Sequence, residues 1–182
     1  LLIAMALVIA VIYLFLGNLR ATLVPAVTIP VSIIAAFIVM GAMGFSINTL
    51  TLLGLVLAIG LVVDDAIVVL ENIYRRMENG EPALIASVDG SREIGFAVVA
   101  TTIVLVAVFL PMSFLSGNVG KLFREFGFTI AAAVAFSSLV ALTLTPMMTS
   151  KLFAGGAHRS RMAVAVDDFF QRLSAWYDRN LR

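Results

Sequence analysis

Gly60-Leu-Val-Val-Asp64-Asp65-Ala-Ile-Val-Val-Leu-Glu71-Asn72 sets two adjacent carboxyl groups inside an apolar run that begins at Thr51. Thirteen residues separate Thr51 from Asp64, about 20 Å of helix, and Asp65 to Glu71 adds about 9 Å. A bilayer's hydrocarbon core is ~30 Å thick, so both aspartates fall inside it. A charged aspartate there costs at least ~2.5–3.5 kcal/mol on insertion scales. Two neighbours do not persist at that depth without a use or a compensating partner.

The rest of the chain supports a membrane reading. Of 182 residues, 62% are hydrophobic and 13% charged, and the mean hydropathy is +1.09. A water-soluble domain carries nearer a quarter charged residues. The first 70 residues hold only Arg20, Asp64 and Asp65 as charges. A net charge of +1 argues against nucleic-acid binding. With no Cys and a single His, neither a thiolate nor a histidine cluster for a metal can form. No glycine-rich phosphate loop and no Ser/His/Asp set is present, so neither an enzyme nor a cofactor is expected.

Five apolar segments predict an all-α, polytopic transmembrane helix bundle: Leu1–Leu16, Leu23–Met43, Thr51–Leu70, Ile94–Leu115 and Phe128–Met148. They are rich in Ala, Gly, Ser and Thr, which let membrane helices approach closely. Pro25 and Pro30 are expected in the first turns of the second span, and Pro111 and Pro146 late in theirs, where kinks are expected. The apolar run starts at Leu1 with no polar flank, which reads as a chain cut from a longer one. Residues 1–153 form the bundle in this reading. Residues 154–182 read as a linker, with His158 solvated, followed by an amphipathic interfacial helix carrying Trp176 and Tyr177. Arg20, Arg75, Arg76, Arg92, Lys151, Arg159 and Arg161 gather on one side, against Lys121 and Arg124 on the other. The positive-inside rule makes the first side cytoplasmic, with the N-terminus outside and the C-terminus inside.

Neighbouring helical residues point about 100° apart. Asp65 shares a face with Leu61, Ala58 and Gly54, and Asp64 with Gly60, Leu57 and Leu53. The small residues predict close packing, with the pair facing the bundle interior. Burial and mutual repulsion both oppose two ionised carboxyls side by side, so the pair titrates as one coupled unit. A proton relay is the sharp reading; a structural ion pair is the plain one. No Lys or Arg lies within any of the five spans, so the pair is either partly protonated or matched by a cation elsewhere. Glu71 and Asn72 either feed protons to the pair or cap and solvate the helix end, and the second reading is favoured. Thr101, Thr102, Ser137, Ser138, Thr143 and Thr145 read as hydroxyls bonded between helices or back to their own helix.

The run around Asp64-Asp65, with Phe45-Ser-Ile-Asn48-Thr-Leu-Thr51 before it, resembles the fourth transmembrane helix of resistance–nodulation–division (RND) efflux pumps. Leu14-Phe-Leu-Gly-Asn18-Leu-Arg20-Ala-Thr-Leu-Val-Pro25 is similar to their link between helices two and three. Val108-Phe-Leu-Pro111-Met and Leu142-Thr-Leu-Thr145-Pro146 resemble the ends of helices five and six. The resemblance implies helices two to six of the first half of a drug/proton antiporter in the bacterial inner membrane. It makes Asp64 and Asp65 the proton relay and supplies their counter-charge as a lysine from the second half. It also implies a preceding periplasmic porter domain, a homotrimer, a periplasmic adaptor and an outer-membrane channel. Asp at 65, where the metal-exporting branch typically has Ala, favours export of hydrophobic or amphiphilic compounds. A sterol-sensing-like or protein-export-related membrane module shares the architecture and stands as the alternative.

Overall fold

The computed structural model describes residues 1–154, except the side chains at 118, 119, 121 and 122. The tail reading, including His158 and the interfacial helix, lies outside the described residues. The five expected helices are present: α1 (Leu2–Leu16), α2 (Leu19–Ala42), α3 (Thr49–Glu78), α4 (Ala83–Phe109) and α5 (Gly117–Leu152). A 3₁₀ segment, Leu110–Phe114, continues α4. Leu19–Ala42, Thr49–Glu78, Ala83–Phe114 and Phe123–Leu152 are each long and apolar enough to cross a membrane. The α1 helix is as apolar but has 15 residues, about 22 Å.

Local chemistry sets the boundaries. Gly17 ends α1 in the left-handed region at φ 57°, where a side chain is strained, and its N–H donates to the Tyr13 carbonyl. One residue later Asn18 caps α2, accepting from the Arg20 N–H at 3.0 Å. The α2 helix therefore starts four residues before the expected Leu23. Pro25 and Pro30 are thereby both inside the helix rather than at its start. Asn48 opens α3 with a reciprocal box: its Oδ1 accepts from the Leu50 and Thr51 N–H groups, and Thr51 Oγ1 accepts from the Asn48 N–H. Pro111 lies where α4 tightens into the 3₁₀ turn, while Pro146 is accommodated within α5.

Three helices outrun their apolar spans. The α3 helix continues past Leu70 to Glu78, α4 begins at Ala83 instead of Ile94, and α5 begins at Gly117 instead of Phe128. Polar residues continue these helices because their own hydrogen bonds hold the extensions. Arg76 reaches Glu81 at 2.8 Å and Glu93 at 3.2 Å, closing the α3–α4 hairpin. At the opposite end of α3, Glu125 of α5 accepts from Asn48 Nδ2 at 2.6 Å and from Ser46 Oγ at 3.0 Å.

The α5 helix is the scaffold, packing on α2, α3 and α4. Two apolar clusters stack along the bundle. One gathers Ile12, Ile33, Met40, Leu55, Ile59, Val62 and Ala133; the other gathers Val24, Val69, Ile73, Val98, Ala141 and Phe153. Gly54 permits the α3–α5 contact, since a Cβ there would sit 3.1 Å from Phe126 Cδ2. Gly60 does not act this way: it is exposed, and a Cβ there meets nothing within 4 Å. Gly127 is the tightest of the described contacts between α5 and the 3₁₀ segment, where a Cβ would lie 2.7 Å from the Phe109 carbonyl oxygen and 2.5 Å from Ser113 Oγ.

These contacts predict opposite outcomes for two glycines. Gly127→Ala should lower stability by about 1–3 kcal/mol, the usual cost of overpacking. Gly60→Ala should be neutral or slightly stabilising, since Ala is the better helix former. Thermal unfolding of the detergent-purified protein, followed by loss of the monodisperse peak, checks both.

Candidate functional site

Asp64 and Asp65 lie between the two apolar clusters. On α3, Val62 and Val63 belong to one cluster and Val69 and Leu70 to the other. On α5, Ala133 and Ala141 flank the same level, with Ser137 between them. The site is therefore a polar level between two apolar clusters.

Sequence periodicity expects both carboxyls inside the bundle, and the structure divides them. Asp65 is half-buried on the face that carries buried Gly54 and Ala58. Asp64 is exposed, on the face of exposed Leu53, Leu57 and Gly60. The 100° step between neighbours is the cause: a face broad enough to bury Asp65 against α5 turns Asp64 out of it. Both reach a groove of about 540 Å³ between α3 and α4, walled by Leu61, Val68, Ala97, Val98, Thr101 and Val104.

Ser137 approaches this seam from α5. Its hydroxyl donates to the Val62 carbonyl at 3.0 Å and lies against the Asp65 carboxyl. Asp65 Oδ2 is fully buried and has no hydrogen-bond partner among the described residues. Buried polar atoms in native proteins are nearly always satisfied, so this oxygen marks a place where a proton, a water or an incoming donor belongs. Neither aspartate forms an ion pair among the described residues. The plain structural ion pair is thus not made within this part of the bundle.

The other polar residues divide clearly. Thr101 bonds the Ala97 and Val98 carbonyls, Thr102 the Val98 carbonyl and Thr143 the Leu139 carbonyl, each within its own helix. Thr145 Oγ1 is buried without a partner among the described residues. Glu71 is exposed, at the edge of a second groove between α1 and α3. Asn72 departs from its expected role of solvating a helix end. It is 8% exposed, and its Nδ2 donates to the Gly90 carbonyl at 2.8 Å and to Glu93 Oε2 at 3.2 Å. Its Oδ1 accepts from Arg75 at 2.7 Å. The helix runs on past Asn72 to Glu78, so there is no end there to cap. The AcrB/AcrD/AcrF family model matches residues 1–182. The chain belongs to that family and is membrane-domain sequence of an RND transporter.

Ser137 and Thr143 both lie on α5 but differ in what they bond. Ser137→Ala should cost about 1 kcal/mol, the net worth of a hydrogen bond between helices. Thr143→Ala gives up only a bond to its own helix and should leave stability unchanged. Thermal unfolding of both variants in detergent measures the difference.

Proposed function

We propose that this RND chain is the proton-translocating core of a drug/proton antiporter, with Asp64 and Asp65 as its proton-loading pair. The observation that carries the reading is the buried Asp65 Oδ2, unpartnered among the described residues, beside a groove into which Asp64 also opens. The carboxyl chemistry fits. A neutral carboxyl donates one hydrogen bond and a carboxylate only accepts, so each protonation changes which neighbour the site can hold.

The magnitudes fit as well. Charging an aspartate in the hydrocarbon zone costs at least ~2.5–3.5 kcal/mol, and one charge crossing 100 mV releases ~2.3 kcal/mol. The two are of the same order, so the membrane potential is large enough to matter to the loading of one proton. A lysine from the second transmembrane half, facing the α3–α4 groove, would supply the cation that the five spans lack. The compounds exported would be hydrophobic or amphiphilic. The working assembly would be a homotrimer in the bacterial inner membrane, with its porter domain, a periplasmic adaptor and an outer-membrane channel. The α2–α3 turn would face the periplasm and the α3–α4 turn the cytoplasm, because Arg75, Arg76 and Arg92 gather at the latter.

Asparagine at either position keeps the size and most hydrogen bonding but cannot titrate. In the intact pump, Asp64→Asn and Asp65→Asn should each insert and assemble at wild-type amounts yet lose export. Drug accumulation in cells with matched expression reads this out. Full export from the doubly substituted pump would contradict the assignment.

A further inference from the structure

The α3 and α4 helices touch closely at one end and part at the other. At the closed end Gly90 sits on the α3 backbone: a Cβ there would lie 3.2 Å from Ile73 Cα and 3.3 Å from Ile73 N. Asn72 bonds the same glycine's carbonyl at 2.8 Å, so one residue pair both permits and locks the crossing. Arg76, Glu81 and Glu93 brace the hairpin around it. Toward the other end the helices diverge, and the groove opens from Val68 and Ala97 up past Asp64 and Asp65. Asn72 lies seven residues after Asp65, two helical turns along nearly the same face. Along its most apolar stretch α4 is largely exposed, and it is held by this crossing, by α5 and by the 3₁₀ turn.

We propose that the Asn72–Gly90 crossing is the hinge that sets the width of the α3–α4 groove, making Asn72 a positioning residue for the Asp64–Asp65 pair. The functional half of this inference rests on the proton-relay reading; the geometric half does not. A narrow end held by a buried three-way amide converts a small tilt of α4 into a larger change of width at the aspartates. Both amide N–H donors are committed to α4, so rotating α4 away from α3 breaks the bonds to Gly90 and Glu93 together. Asp64 and Asp65 are the only ionisable side chains lining the groove among the described residues; α4 contributes Thr101, and Ser137 approaches from α5. The charged groups facing Asn72 are Arg75 on its own helix and Glu93 on α4.

The test uses the intact pump, spin-labelled at Val68→Cys and Ala97→Cys, in three backgrounds: wild type, Asn72→Leu and Gly90→Ala. Gly90→Ala widens the same crossing without removing a polar group, and it serves if Asn72→Leu fails to assemble. The hinge predicts loss of the short-distance population across the groove in either variant. It also predicts that the pH midpoint of drug-coupled proton flux moves in proteoliposomes holding equal amounts of pump. An unchanged Val68–Ala97 distance in an assembled variant would overturn the hinge. A changed distance with lowered flux at the wild-type pH midpoint would overturn the positioning role. Failure of the proton-relay reading is distinguishable, because the doubly Asn-substituted pump would then keep its flux whatever the groove distances show.

Discussion

Two carboxyl groups on successive residues of one membrane helix cannot face the same way, and the bundle is organised around that fact. If Asp65 turns toward α5, where Ser137 meets it, Asp64 must turn out by about 100°. The result is a seam: apolar clusters above and below, a half-buried carboxyl with one oxygen unpartnered among the described residues, and an exposed one at the lip of a groove.

The scaffold around the seam is uneven in strength. The α5 helix is packed on three neighbours, and tight points such as Gly54 against Phe126 and Gly127 against the 3₁₀ turn leave it no room to shift. The ends of α3 are also tied, by Asn48 to Glu125 at one and by Arg76 to Glu81 and Glu93 at the other. The outer surface of α4 carries exposed apolar side chains, among them Phe96, Val99 and Ile103. The α4 helix rests on α5, α3 and the 3₁₀ turn by its inner face alone.

Much of this architecture is legible in the residues. Apolar length marks the five helices, and Asp64-Asp65 stands out because charge is so costly at that depth. The break after Leu16 is legible as a gap in hydropathy, but the cap at Asn18 starts α2 four residues before its apolar run. Features that depend on a neighbour are not. The helix extensions over 71–78, 83–93 and 117–127 look like loops by hydropathy, yet ion pairs and amide bonds between elements hold them helical. Asn72 looks like a solvated helix end because its partners, Gly90 and Glu93, are eighteen and twenty-one residues away. Composition places Asp64 and Gly60 in the interior, but a helix pressed mainly on one neighbour buries only part of its circumference.

The central claim is that the Asp64–Asp65 pair gains and loses a proton during transport. Difference infrared spectroscopy of the intact pump, with and without a transported drug under a pH gradient, observes that event directly. A protonated-carboxyl band that changes with turnover, and disappears when both residues are asparagine, is the predicted result. A band that persists in the doubly substituted pump, or a carboxyl signal indifferent to turnover in the wild type, would contradict it.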